Sequence, residues 1–211
     1  MTREEFLIEL EKIGIKPTEK QLNQLEKFYD LLIEWNQKIN LTRITEKEEV
    51  YLKHFYDSLT IVKAIDLNKV DSLCDIGTGA GFPGIVLKIM FPNLRITLID
   101  SLQKRINYLN EIIKELDLKD IEAIHVRGED FKGSFDVVTS RAVANIEKLV
   151  NYTMHLVSKD GVFIAMKGDI ETELTKEVET KLNKKYQIVE VKKFLLPIEK
   201  SKRSLVVLKC K

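Results

Sequence analysis

The sequence predicts an α/β protein: a helical N-terminal extension leads into a Rossmann-like seven-stranded sheet whose last two strands form an antiparallel hairpin. Three observations predict this. From Thr2 to about Thr60 apolar residues recur at three- and four-residue steps. Beyond Asn68, short β-type runs alternate with helical stretches, as βαβ units require. No helix-length segment separates the final two runs, so they must pair as a hairpin. The expected division puts residues 1–66 in the extension and 67–211 in the sheet domain.

In the extension, Thr2 with Glu5, Thr18 with Gln21 and Thr45 with Glu48 have the spacing of capping boxes, which mark three helix starts. The middle helix carries Leu22, Leu25, Phe28, Leu32, Trp35 and Ile39 on one stripe, which reads as packing against a core. Strands are expected at 72–76, 95–99, 123–126, 135–139, 162–166, 188–192 and 204–208. Helices are expected at 83–91, 102–116, 146–157 and 170–184, with Ser101, Asn145 and Asp169 as N-caps. Residues 196–203 read as the hairpin loop.

With 44% hydrophobic and 32% charged residues among 211, the chain can bury one sizeable core and is neither membranous nor disordered in composition. Its start carries acids and lacks the basic and apolar regions of a signal peptide, so a cytoplasmic location is expected. The two cysteines, Cys74 in an apolar run and Cys210 near the end, give neither a disulfide framework nor metal-ligand spacing. A buried thiol at Cys74 and no metal are expected. The net charge of +1 excludes a globally basic nucleic-acid binder while leaving room for a local basic face. A monomer is the default.

The segment from Leu73 to Gly84 reads as strand, glycine-rich turn and helix, in the pattern Asp75-x-Gly77-x-Gly79-x-Gly81. Such glycines permit positive φ and let a ligand lie against the main chain at the carboxyl edge of a sheet. A dinucleotide fingerprint would need glycine at Phe82, and a P-loop would need Gly-Lys-Ser/Thr; neither is present. Asp75 would repel a pyrophosphate but suits the ammonium and sulfonium of S-adenosylmethionine. Asp100, at the end of the next strand, is placed to accept both ribose hydroxyls, and Arg127-Gly128-Glu129-Asp130 offers partners for an adenine amino group. A class I S-adenosylmethionine-dependent methyltransferase is therefore expected. The plain alternatives are a tight turn without ligand, a solvated helix cap at Asp100 and a polar turn at 127–130.

Further segments are more particular: Trp35-Asn36, Asn40-Leu41-Thr42, His54, Asp57-Ser58-Leu59, Lys104-Arg105, Ser140-Arg141-Ala142-Val143-Ala144 and Lys167-Gly168. With them, nearly the whole chain resembles the bacterial small-subunit ribosomal RNA guanine-N7 methyltransferases, the glucose-inhibited division protein B family. The resemblance implies methyl transfer from S-adenosylmethionine to N7 of one guanine of 16S rRNA, free or within the small ribosomal subunit. It implies cofactor contacts at Gly77, Phe82, Gly128, Glu129 and Arg141, with Asp100 at the acidic ribose position. Asp75 and Gly79 complete the expected cofactor set. Thr78, Lys53 and Gly128 depart from the family's usual serine or alanine, arginine and alanine; Lys53 keeps the charge but loses the planar fork that grips a phosphate twice.

Guanine N7 has a free in-plane lone pair, so its methylation needs alignment and no general base. Arg141 and Lys167, at or just beyond the carboxyl ends of predicted strands, are expected to position the acceptor. His54 and Asp57 can share one helix face, either at the acceptor site or as an anchor of the extension. Lys53, His54, Arg105, Lys200, Lys202 and Arg203 are the expected RNA contacts, with Arg43 and Lys104 nearby. Alternatives are a methyltransferase of another acceptor, a non-catalytic RNA-binding module on the same fold and, more remotely, a dehydrogenase.

Overall fold

A computed structural model of the protein describes residues 1–141 and 144–211. Ala142 and Val143, from the Ser140 to Ala144 motif, lie outside the described residues. The extension opens with α1 (Arg3–Lys12) and α2 (Glu19–Ile39), and both begin at the expected capping boxes. Thr2 Oγ1 accepts from the Glu5 amide at 3.2 Å while Glu5 Oε2 accepts from the Thr2 amide at 2.7 Å. Thr18 and Gln21 repeat the exchange at 3.3 and 2.8 Å.

The third box does not form. Helix α3 (Lys47–Val50) starts after Glu46 with no side-chain cap. Thr45 is held instead from α2, where the Tyr29 hydroxyl donates to its carbonyl at 3.1 Å. From α3 the chain winds without a break through a π-helical stretch, Tyr51–Tyr56, into α4 (Asp57–Leu59) and a 3-10 turn at Thr60–Lys63. A π turn widens the helix, and such turns recur where side chains must be re-aimed. This one carries Lys53 and His54 and ends at Asp57.

The sheet comprises β1 (Ser72–Ile76), β2 (Arg95–Asp100), β3 (Ile121–His125), β4 (Phe135–Arg141), β5 (Val157–Lys167), β6 (Tyr186–Leu195) and β7 (Lys202–Cys210). Their order is β3-β2-β1-β4-β5-β7-β6. The first five run parallel, and β7 pairs antiparallel with both β5 and β6. The expected fold class is therefore the observed one. Helices α5 (Gly84–Met90), α6 (Gln103–Glu115), α7 (Ile146–Thr153) and α8 (Lys176–Lys185) cover the sheet. Strand order reverses between β1 and β4, so the glycine turn after β1 opens into the crevice where ligands bind in such sheets.

Two helix starts differ from expectation. Helix α6 starts after Leu102 with no side-chain cap, so Ser101 is not its N-cap; Asp100 Oδ1 accepts from the Leu102 amide at 2.9 Å. Helix α8 begins after Thr175, which accepts from Val178 N at 3.4 Å. Residues 170–174 form a separate turn anchored by buried Ile170, whose carbonyl accepts from the Glu173 and Leu174 amides. Asn145 caps α7 as expected, with Oδ1 accepting from Lys148 N.

One apolar cluster joins the extension to the sheet. Phe28 of α2 lies 5.8 Å from Phe55 and 5.4 Å from Phe82, ring to ring. The stripe of α2 is buried through Leu32, while Trp35 and Ile39 pack partly buried against the same cluster. Two amides of α2 finish neighbouring helices: Gln21 Nε2 donates to the carbonyls of Ile89 and Met90, and Gln24 Nε2 donates to that of Leu116. These are helix-end carbonyls that would otherwise need water. A second cluster fills the opposite face around Cys74, Val138, Leu149 and Phe163, and burial pushes the Cys74 thiol up. Among the described residues no helix is long and apolar enough to cross a membrane.

The shared cluster predicts that extension and sheet unfold together. Phe28→Ala should lower the unfolding free energy by about 3–5 kcal/mol, with one urea transition seen by both fluorescence and circular dichroism. Two separated transitions would make the extension an independent unit.

Candidate functional site

The turn after β1 keeps Gly77, Gly79 and Gly81 at φ of 68°, 60° and 92°. Their neighbours divide the work. At Gly79 an added Cβ would meet only the Gly77 carbonyl, at 3.9 Å, so its main chain faces open space. At Gly81 it would strike Ile85 Cγ1 at 2.6 Å, and at Gly84 Leu98 Cδ2 at 2.2 Å. Those two glycines let the turn and α5 pack onto the sheet.

Asp75 lies beneath the turn with no accessible surface. Its Oδ2 accepts from Thr78 Oγ1 at 2.7 Å and from the Gly84 amide at 2.9 Å, while Oδ1 has no partner among the described residues. Burial pushes this carboxyl up to about 6, against the opposing pull of the Thr78 and Gly84 bonds. The direct contact with a ligand ammonium expected from the sequence meets no exposed oxygen, and Asp75 is instead the tie that holds turn and helix together. Thr78 turns its hydroxyl inward onto Asp75 and is itself buried.

Asp100 stands at the end of β2. Its Oδ2 accepts from Gly79 N at 3.0 Å and from Arg105 Nη1 at 3.1 Å, and Oδ1 from Leu102 N. A carboxylate offers about four lone-pair sites. With Arg105 in place, room remains for one ribose hydroxyl and not for both. Gly128 is buried after β3, where a Cβ would approach Ile76 Cγ2 at 3.0 Å. Glu129 is exposed, with Arg127 as its nearest cation at 3.9 Å.

Above the turn a cavity of about 570 Å³ separates the sheet edge from the extension, within the size range of small-molecule sites. Gly77, Thr78, Gly79, Ala80 and Phe82 form its floor; Thr42, Lys53, His54 and Asp57 form the facing wall. Arg105, Arg141, Lys167, Gly168 and Arg203 complete it. Asp75, Asp100, Gly128 and Glu129 stand behind or beside this lining.

Arg141, at the end of β4, is the hub. Its Nη1 donates to the Lys53 carbonyl at 2.9 Å and to Asp57 Oδ2 at 3.2 Å, and its Nη2 donates to His54 Nδ1 at 3.0 Å. The guanidinium sits 5.1 Å from the Phe82 ring, on which His54 stacks at 4.4 Å and 16°. Asp57 Oδ1 accepts from Arg203 Nε at 2.9 Å, so one carboxylate joins two guanidiniums. His54 has both nitrogens engaged, the second with Thr42 Oγ1 at 2.9 Å. Both ring nitrogens are thus engaged in an internal bridge, the arrangement of the alternative in which His54 anchors the extension. Burial and the charge of Arg141 pull His54 down to about 3, against a smaller opposing pull from the Lys53 carbonyl.

Lys167 is held at the wall by donating to the Ala144 carbonyl and by Glu173 Oε2 at 2.9 Å. The expected basic rim is more compensated than the sequence implied. Lys53 pairs with Glu49 at 2.7 Å and Glu199 at 3.0 Å. Lys202 pairs with Asp169 at 2.7 Å, and neither Lys200 nor Lys202 lines the cavity. Arg43 and Lys104 are exposed outside it. Thr42 and Glu173 had no assigned role. A signal for Thr42 existed in its spacing from Asn36, whose Oδ1 accepts from the Leu41 and Thr42 amides at 2.7 and 2.8 Å.

The profile of the family described as "GidB: rRNA small subunit methyltransferase G" matches residues 21–206. The chain belongs to this family. It is 47% identical to the ribosomal RNA small subunit methyltransferase G of Bacillus pumilus, over 100% of this chain and 91% of that protein. Identity is 44% to the protein of the same name from Bacillus subtilis and 46% to that from Oceanobacillus iheyensis, each over 99% of this chain and 90% of the relative. Among solved structures, an S-adenosylmethionine-dependent methyltransferase from Aquifex aeolicus superposes with a TM-score of 0.58 at 17% identity, covering 77% of this chain and 93% of that one. A mutant of MtNAS in complex with S-adenosylmethionine superposes at 0.57 and 14% identity, over 90% and 76%. These two likenesses show the shared fold.

His54 and Asp75 give this family member opposing pH dependences. His54 resists protonation when folded, so its contribution to stability is complete above the free-imidazole value near 6.5 and is lost as pH falls toward 3. Asp75 resists ionisation when folded, so its contribution is complete below about 4 and is lost as pH rises through 6. Each slope reaches at most about 1.4 kcal/mol per pH unit. In urea unfolding from pH 4 to 7, His54→Gln should lessen the loss on the acid side, and Asp75→Asn should lessen the loss on raising pH. Parallel changes in the two variants would contradict the assignment.

Proposed function

We propose that this protein transfers a methyl group from S-adenosylmethionine to N7 of one guanine of 16S rRNA, with the small ribosomal subunit as its partner. The observation that carries this reading is the cavity at the topological switch point, floored by an open glycine turn and walled by the Arg141 hub, in a chain of this family. A cytoplasmic monomer is part of the same proposal.

The residues fit the cofactor on two observations. The main chain at Gly79 faces open space, as close approach of a ligand requires, and a buried Asp75 oxygen beneath the turn lacks a partner and favours a cation above it. Gly77, Gly79 and Phe82 would hold the amino-acid end, with Arg141 beside Phe82. Asp100, Gly128 and Glu129 flank the nucleoside end. When bound, the cofactor supplies an electrophilic sulfonium methyl.

The N7 lone pair needs no deprotonation, and the site offers no imidazole base, since His54 is neutral with both nitrogens engaged. Methylation leaves positive charge on the guanine ring. Asp57 is shared by Arg141 and Arg203 and Glu173 pairs with Lys167, which lessens the wall's repulsion of that charge. The work left to the protein is alignment and exclusion of water. The deep, narrow major groove of A-form RNA hides N7, so the acceptor is an accessible loop or a flipped base.

The test is transfer of labelled methyl to small ribosomal subunits from cells lacking the mark, with the product mapped by cleavage at 7-methylguanosine. Label should appear at one 16S rRNA guanine. Arg141→Ala, which releases the wall from the turn, should lower the rate about 100-fold. Cofactor binding without label on any subunit form would overturn the rRNA assignment, and label on another acceptor would replace it.

A further inference from the structure

The polarity of one hydroxyl in the cavity wall is fixed by its neighbours. Arginine N–H groups can only donate, so the 3.0 Å contact from Arg141 Nη2 leaves His54 Nδ1 without a proton. The ring is neutral, being buried beside that guanidinium, and its single proton is therefore on Nε2. Nε2–H donates to Thr42 Oγ1 at 2.9 Å, and the Ile44 amide donates to the same oxygen at 3.0 Å. A hydroxyl oxygen has two lone pairs and both are now used. The Thr42 O–H is left as a donor, and among the described residues none accepts it. Thr42 is half-buried and lines the cavity, one stacked ring away from Phe82 of the glycine turn.

The two purines differ in what they present beside N7: guanine offers the O6 acceptor and adenine the N6 amino donor. A hydroxyl with its lone pairs filled pairs with the first and opposes the second. We propose that Thr42 selects guanine by donating to O6 of the base whose N7 receives the methyl, resting on the function proposed above. Arg141 and His54 are then positioning residues, which set the direction of the hydrogen-bond chain. Asn36 is another, since its side chain holds the Thr42 backbone. The relay places the selecting donor on the extension and the methyl donor on the sheet domain, so the base must bridge the two.

The test uses the full-length enzyme and small subunits reconstituted with guanosine or 2-aminopurine riboside at the target position. The analogue keeps N7 and lacks O6. The readout is the ratio of kcat/KM for the two acceptors, compared between variants so that the intrinsic reactivity of each base cancels. Wild type and Thr42→Ser should share a high ratio. Thr42→Val should bring the ratio down about ten-fold, the worth of a neutral hydrogen bond, with the Kd for S-adenosylmethionine unchanged. A ratio unaltered in Thr42→Val would overturn the inference. So would a Thr42→Ser ratio as low as that of Thr42→Val, since serine keeps the hydroxyl donor. Failure of wild type to methylate the guanosine subunit would instead overturn the function on which the inference rests.

Discussion

The guanidinium of Arg141, with its side chain 14% exposed, is the constraint on which the site depends. A charge largely withdrawn from water at the end of β4 must be paired and hydrogen-bonded, because leaving it alone is costly. Among the described residues, the hydrogen-bond acceptors of its side chain all come from the extension: the Lys53 carbonyl, His54 Nδ1 and Asp57. The extension is thus fixed over the sheet edge by an electrostatic demand as well as by the apolar cluster around Phe28. The Lys53 carbonyl and His54 lie in the π-helical stretch and Asp57 directly follows it, so one short segment offers a backbone carbonyl, an imidazole and a carboxylate to one guanidinium. Arg203 closes the arrangement from β7 through the second oxygen of Asp57.

The glycine turn meets two opposing requirements. It must leave bare main chain for a ligand, and it must be rigid without one. Gly79 serves the first and Gly81 and Gly84 the second, since side chains at the latter two would collide with Ile85 and Leu98. Two carboxylates stiffen it from below. Asp75 joins the turn to the first residue of α5, and Asp100 accepts from Gly79 N while holding Arg105. Asp100 therefore shares its lone pairs between the loop and a cation that lines the cavity.

Charge is distributed in the same economical way. The cations of the cavity face acids: Lys53 pairs with Glu49 and Glu199, Lys167 with Glu173 and Arg105 with Asp100, while Arg141 and Arg203 share Asp57. A site with this balance tolerates a cationic cofactor and a product base that becomes cationic, which a strongly basic groove would not. The exposed cations Arg43, Lys104 and Lys200 lie outside the cavity.

What the sequence determined by itself is what short-range spacing encodes. The alternation of β and helical periods specified all seven strands. The glycine run located the turn, and Thr2 and Thr18 fixed the starts of α1 and α2, because capping is completed within four residues. The motif segments marked Arg141, His54, Asp57 and Thr42 as belonging together without saying how. Only the tertiary structure decided the rest. Arg141 meets Lys53 across 88 positions of sequence and Arg203 meets Asp57 across 146, pairings that exist because strand order and the seating of the extension bring them to one edge. For the same reason α3 starts after Glu46 without the Thr45 box, Asp75 lies buried beneath the turn, and His54 bridges Arg141 and Thr42. Local patterns declare which side chains are present; burial and topology decide which of their atoms are already taken.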